Sequence, residues 1–426
     1  MRSFAVKFEF LLAAQMLNAR PGLASVLIHG CGLVLRLAFM LAILRWSSPT
    51  VLGHYALLTA IEVVAVYLAG LEFHTFTTRR YARRPTLRQL RICASSHQRM
   101  VFVSAPLCAA LGVGAAVLFA LDLSPGEVLA FALIAVGGTV AQEVGRFMVL
   151  AGRPVHSVAM TFVRTAAWQP LAIPMFGRDE ETLRAIIFLW CVASTLGVAW
   201  GLWIMREALG SPARPPMRYL TRGIAASRRY FLIASASVLQ GNLERFVLQV
   251  MLGPASVAMF SFFQTLANTL PALVQSAVLN VSLSTILTGF GQALPHRMDV
   301  LRRLARRCLK LSLLLAVLIC AAAVPLVATT SHPEYREYLW IPPILVAGQV
   351  LLMGSQPVHL ALYGAHRDAS LMWLSLASLA LALALSVVLV ATAGLHGAVV
   401  STLLGSAGLT LARLLLFRHS KIRGLV

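Results

Sequence analysis

The sequence predicts an all-α polytopic membrane protein, with about 12 transmembrane helices in two six-helix halves. Three observations carry this. Hydrophobic residues make up 59% of the 426 and charged residues only 12%, with a mean hydropathy of +0.80. Soluble domains average about 45–50% apolar and about 25% charged, so this chain lacks the charge to coat a globule of its size. Its apolar residues fall in runs of roughly 20, the length that crosses about 30 Å of hydrocarbon. The basic residues cluster in every second gap between runs.

In chain order, the first half has spans at 22–44, 51–73, 100–121, 128–150, 155–176 and 185–205. Arg36 lies on the first, Glu62 on the second, Glu143 and Arg146 on the fourth, and Arg164 on the fifth. The second half has spans at 231–252, 255–280, 309–330, 339–363, 369–393 and 395–417. Glu244 and Arg245 lie on the seventh and Arg413 on the twelfth. The stretch 255–290 is too long for one span, so its end is expected to protrude from the membrane. The expected division is 1–205 for the first half, 206–230 for a basic linker holding Pro212, Pro215 and Pro216, and 231–426 for the second half.

With the N-terminus placed inside, inside segments hold 27 of the 36 Lys and Arg, outside segments 4, and spans the other 5. One missed helix would invert every later loop, so this bias supports both the span count and cytoplasmic termini. The outside loops carry Asp122, Glu127, Asp179, Glu180, Glu181, Glu334 and Glu337. The net charge of +21 is thus a topology signal and not the basic face of a nucleic-acid binder. The basic loops are expected to touch anionic lipid.

Several chemistries find no support in the sequence. The longest outside stretches, near 177–184 and 331–338, are too short for a catalytic domain, and no catalytic triad or paired-acid motif is evident. No enzyme activity is expected. The six cysteines form no CxxC pair and the histidines no HExxH, so neither a disulfide framework nor a metal site is expected. The first long apolar run is already a full span, so no cleavable leader is expected. No GxxxxGK[ST] phosphate loop is present.

A weak internal repeat relates the halves. Pro49, Gly53 and Tyr55 recur at the same spacing as Pro254, Ala258 and Phe260. With an even number of spans in each half, such a repeat is related by an axis along the membrane normal. The stretch Ser48-Pro49-Thr50-Val51-Leu52-Gly53-His54-Tyr55-Ala56 resembles the "gp…fG-x-Y-a" turn of the polysaccharide biosynthesis (Wzx-type) flippases. These belong to the multidrug/oligosaccharidyl-lipid/polysaccharide exporter superfamily. The stretch from Gln240 to Phe246, followed by Leu252-Gly253-Pro254, is similar to the family's "n-x-D-r…lGp" signal, with Glu244 in place of the usual Asp. Ala258 and Phe260 replace Gly and Tyr. The resemblance implies a MATE-like fold, with two six-helix halves around a central cavity, in a bacterial inner membrane. It also implies movement of a lipid-diphosphate-linked oligosaccharide from the inner to the outer leaflet without ATP hydrolysis in the chain. Other polysaccharide-assembly proteins would be partners, and no cofactor is implied beyond coupling to a proton or cation gradient.

Charges at bilayer depth are costly and mark function or a buried partner. Arg36 and Arg164 have no acid within four residues on their own helices. Each must meet an acid on another helix, a water-filled cavity or an anionic substrate. Glu62 is the candidate partner of Arg36, since consecutive helices tend to be neighbours. Alternatively, the two guanidinium forks attract a diphosphate. Glu143 and Arg146, three apart, share a helix face and can pair locally. Glu244 and Arg245 are adjacent and cannot share a face, and Glu244 is a candidate for a coupling proton or cation. Gln264, Asn268, Gln275 and Asn280 trace a polar stripe suited to sugar hydroxyls or to interhelical hydrogen bonds. Arg413 is expected to snorkel, and Glu72 to reach water, each from a span end. A cation-coupled small-molecule/drug antiporter of the same superfamily is the alternative function, and a membrane polysaccharide polymerase or glycosyltransferase ranks after it. The antiporter would favour an acidic cavity, and in-span arginines outnumber in-span acids.

Overall fold

The computed structural model describes residues 21–81, 87–209, 217–279, 294–365 and 367–422. Among these it is helical throughout, without strands. The first half consists of α1 (Pro21–Trp46), α2 (Pro49–Ala69), α3 (Phe73–Tyr81), α4 (Leu87–Leu118), α5 (Pro125–Leu150), α6 (Pro154–Phe162), α7 (Gln169–Ala172) and α8 (Asp179–Leu209). The rest consists of α9 (Met217–Leu252), α10 (Pro254–Val274), α11 (Leu294–Ala328), α12 (Glu334–Glu337), α13 (Ile341–Gly364) and α14 (Asp368–Ile422).

Proline starts many of these helices. Pro49, Pro125, Pro154 and Pro254 sit in first turns, where a missing N–H costs nothing. The Glu127 carboxylate accepts the Ser124 backbone N–H at 2.7 Å, closing the α5 start. Gly253, at φ +83°, makes the turn between α9 and α10. Gly394, at φ +56°, breaks α14 into two spans. A side chain is strained at either φ.

Nine helices among the described residues are long and apolar enough to cross a membrane. Helix α9 is 36 residues long, but its charged and amide residues keep it from qualifying by composition. The break at Gly394 falls between the expected spans 369–393 and 395–417, and the interrupted rod Pro154–Met175 coincides with the expected span 155–176. Large apolar side chains, such as Phe102, Leu118, Val250, Val317 and Trp373, point outward, as a lipid-facing surface requires.

The structure corrects the loops. The basic stretches around 74–99, 217–230 and 297–310 are largely helical: α3, the start of α4, the start of α9 and the start of α11. Arginine is a good helix former, so these helices run past the hydrophobic run into the polar zone. The three linker prolines, and the end of the 255–290 stretch beyond 279, lie outside the described residues.

Helices α4, α5 and α8 pack on one another, as do α9, α11, α13 and α14. Between these groups, α2 packs against α9 and α10. One apolar cluster, including Phe39, Leu52, Tyr55, Trp190, Phe260, Phe263 and Tyr335, crosses this junction. It lies toward the end where the acidic loops gather. There the Arg45 Nη1 donates to the Thr329 carbonyl at 3.3 Å, and the Ser331 hydroxyl to the Leu44 carbonyl at 2.7 Å. Gly53 presses on the backbone carbonyl of Pro254 so closely that a Cβ would overlap it. The two repeated turns therefore meet each other. At the opposite, arginine-rich end, Phe73 and Phe76 of α3 pack on Tyr219 of α9.

Candidate functional site

Cavities open on both sides of the α2–α10 contact. The first, about 150 Å³, lies between the two halves and is lined by Arg36, Tyr55, Glu62, Arg164, Arg245 and Thr265 among others. It shares Glu62, Val63 and Arg164 with a second cavity of about 350 Å³ inside the first half, which Gln142, Arg146, Ser157 and Thr161 also line. A third, about 300 Å³, lies in the second half and is lined by Gln240, Glu244, Gln264, Asn268, Gln349 and Arg413 among others.

The first cavity is cationic, with three guanidinium groups against one carboxylate in its lining. Arg164 is positioned by a defect in its helix. Pro170 cannot donate to the carbonyl of residue 166, and Val163–Ala167 winds as a π-turn just before it. From that turn Arg164 Nη1 donates to Glu62 Oε1 at 2.5 Å. Gln169, just beyond, donates to the Tyr55 hydroxyl at 3.2 Å. Gly138 lies beside the pair, and a Cβ there would strike Glu62 Oε1.

The expected Arg36–Glu62 pair is therefore not formed: Glu62 belongs to Arg164. Helix α1 packs more on the α6 region than on α2, which leaves Arg36 on the open side of the cavity. Arg36 is exposed and makes no ion pair among the described residues. Arg245 donates to its own-helix neighbour Asn242 at 3.0 Å. The Nε donors of Arg164 and Arg245 are buried and have no protein acceptor. Such donors suit an anion with several oxygens.

The remaining predicted residues fall elsewhere. Glu143 and Arg146 pair at 2.9 Å, but the pair joins a larger network. His97 lies 2.5 Å from Glu143, and Glu72 lies 3.2 Å from Arg146. Glu72 is 6% exposed, so the expectation that it reaches water is wrong: the chain turns under α5 at that point and buries it. Burial raises the Glu72 carboxyl above its ordinary value, and Arg146 opposes this. Glu244 and Arg245 line different cavities, Glu244 the third and Arg245 the first. In the third cavity Gln264 donates to the Gly241 carbonyl at 3.4 Å, and Asn268 accepts from Gln349 at 3.1 Å. Gln275 is exposed on a second π-turn, one turn after Pro271. Asn280 lies outside the described residues.

Arg413 is a second correction. It does not snorkel: it is 8% exposed and donates to the Ser355 hydroxyl at 3.1 Å. Helix α14 runs on to Ile422, so Arg413 is not at a helix end. Sequence reasoning also missed His97, which was read as loop, and the amides Gln240, Gln349 and Gln356 of the third cavity. Isolated amides in apolar helices are the one signal that was available for these.

No known protein-family model matches the sequence, and no curated protein does. Solved structures do match. An inward-facing multidrug resistance MATE family transporter of the MOP superfamily aligns with a TM-score of 0.69 at 14% identity, covering 95% of this chain and 98% of its own. The lipid II flippase MurJ, in an inward closed conformation, aligns with a TM-score of 0.70 at 10% identity, covering 92% and 87%. A MOP superfamily transporter from Pyrococcus furiosus, described as having a binding pocket of reverse polarity, aligns with a TM-score of 0.64 at 13% identity, covering 96% and 95%. The chain is a multi-pass membrane protein with the MATE-like fold.

Proposed function

We propose that this chain is a flippase that carries a lipid-diphosphate-linked oligosaccharide from the cytoplasmic to the periplasmic leaflet of a bacterial inner membrane, for surface or exopolysaccharide synthesis. The observation that carries this reading is the first cavity, where three arginines outnumber one glutamate and two buried Nε donors lack acceptors. Arg164 is half-neutralised by Glu62, so Arg36 and Arg245 supply most of the free positive charge for a diphosphate. The amide-rich third cavity offers neutral donors and acceptors of the kind that hold sugar hydroxyls. In this conformation the halves touch at the acidic end through Gly53, Pro254, Arg45 and Ser331. Release toward that end requires these contacts to part, with α2 and α10 separating. With the arginine-rich end cytoplasmic, the cavity loads from the side where lipid-linked sugars are built.

One observation favours a second reading. Glu244 is buried in the third cavity and forms no ion pair among the described residues, as a cation or drug-antiport site would require. Binding separates the two. Purified full-length protein is titrated with a polyprenyl diphosphate, a polyprenyl monophosphate and a lipophilic cationic dye. The flippase reading expects the diphosphate to bind tightest, with at least about tenfold loss in Arg36→Ala, since a charge-assisted bond contributes about 1.5–3 kcal/mol. Tight dye binding that is lost in Glu244→Gln, with no diphosphate binding, replaces it with the antiport reading.

A further inference from the structure

A second buried charged network lies at the arginine-rich end of the first half, outside the lining of the cationic cavity between the halves. His97 on α4 lies with Nδ1 2.5 Å from Glu143 Oε2 and Nε2 3.2 Å from the Thr77 hydroxyl of α3. The other Glu143 oxygen accepts Arg146 Nη1 at 2.9 Å, and Arg146 Nη2 donates to Glu72 at 3.2 Å. His97 is 4% exposed and Glu143 1%.

The arrangement in which Thr77 donates to the His74 carbonyl implies a proton count. Thr77 spends its hydroxyl proton on the His74 carbonyl at 2.9 Å, so toward His97 it can only accept. Nε2 must therefore carry a proton. A neutral imidazole has only one N–H, which would leave a bare Nδ1 lone pair against a carboxylate oxygen. The contact needs one more proton, on Nδ1 or on Glu143. With that proton, His97, Arg146, Glu143 and Glu72 sum to zero. Without it the buried cluster carries −1, and the 2.5 Å contact becomes repulsive.

Thr77 ties this cluster to the junction between the halves. It sits on α3, whose Phe76 packs 5.2 Å from the Tyr219 ring of α9, with the Arg80 guanidinium 5.6 Å from the same ring. A Cβ on Gly223 of α9 would overlap Phe73. Arg146 also lines the 350 Å³ cavity, which gives the cluster a polar path. We propose that the His97–Glu143 pair is a proton-binding site whose occupancy clamps α3 to the bundle and so sets the contact between the halves at the arginine-rich end. The proton is held while the pair is closed and released when α3 moves and parts it. The groups facing the pair are Glu72 and His74 at the start of α3, Cys93 one turn before His97 on α4, and Arg146 on α5, with Arg80 and Tyr219 at the α3–α9 seam. His74 is not the carrier: burial, then Arg146, bring its pKa down to about 3, so it stays neutral. This assignment goes beyond the choice of cargo and applies to both readings above.

The test uses the full chain in lipid nanodiscs. Spin labels are placed at Thr78 on α3 and Arg222 on α9, both exposed, through ketone-bearing residues that leave the native cysteines in place. The distance distribution is recorded from acid to alkaline pH. A short α3–α9 distance that lengthens at alkaline pH is expected. That response should be lost in Glu143→Gln and in His97→Gln. If those variants do not fold, Thr77→Val removes the Nε2 acceptor together with the local bond to the His74 carbonyl, and should move the transition to lower pH. A distance that is the same at every pH overturns the proposal, as does a wild-type response surviving in the variants that fold.

Discussion

Arg36 and Arg164 line one cavity but stand in different electrostatic situations. Arg164 is paired with Glu62, and Arg36 has no acid to pair with among the described residues. Truncating each should therefore fail differently. Arg36→Ala should abolish transport and leave thermal unfolding in detergent unchanged, because no buried partner is orphaned. Arg164→Ala strands a buried carboxylate and should destabilise by about 3–5 kcal/mol. The double variant Arg164→Ala with Glu62→Gln should regain most of that stability without regaining transport. Thermal melts and a flux assay on the same three preparations check this. The sequence made the intramembrane charges conspicuous, since each interrupts an apolar run. It did not reveal their partners, because chain adjacency stood in for spatial adjacency, and α1 turns out to pack chiefly on the α6 region. Arg413 misled for a related reason: its distance from a helix end depends on how far the helix continues past the apolar run, and α14 continues to Ile422.

At the scale of elements, two local devices govern the architecture. The π-turn ahead of Pro170 aims Arg164, and the Gly53–Pro254 contact closes the acidic end. Gly53→Ala puts a methyl into the Pro254 carbonyl. Backbone must move, at a cost of about 1–3 kcal/mol. The variant should melt earlier, and a crosslink between the starts of α2 and α10 should form less often than in the wild type. Gly253→Ala should melt earlier too, by about 1–2 kcal/mol, because φ +83° is left-handed backbone. The Pro-x-x-x-Gly and Pro-x-x-x-Ala turns were visible in the sequence as a repeat. That they face each other was not, since a repeat says nothing about how its copies dock. The nine helices long and apolar enough to cross a membrane were legible as apolar runs. The arginine-rich gaps were not legible as helices, because polarity marks where the apolar run ends and says nothing of where the hydrogen-bonded helix ends.

The whole molecule separates charge by position: guanidinium groups between the halves, amides and a glutamate with no ion pair among the described residues in the second half, and the buried His97–Glu143 network beneath the first. The distribution of 27 basic residues against 4 predicts cytoplasmic termini, and labelling tests it. Single cysteines placed at Asp122 and at Arg228 should react with an impermeant maleimide from opposite faces of the membrane, the second only after the cytoplasmic face is opened. Labelling of both from one side would invert or break the twelve-pass arrangement. The central claim is that the cationic cavity passes a lipid diphosphate across the bilayer. It is tested most directly by the sidedness of the lipid-linked oligosaccharide in cells lacking this protein, complemented with wild type or Arg36→Ala at equal expression. The intermediate should accumulate on the cytoplasmic leaflet, be cleared by wild type, and persist with Arg36→Ala. An intermediate that reaches the outer leaflet without the protein, in a strain with no second flippase, would contradict the account.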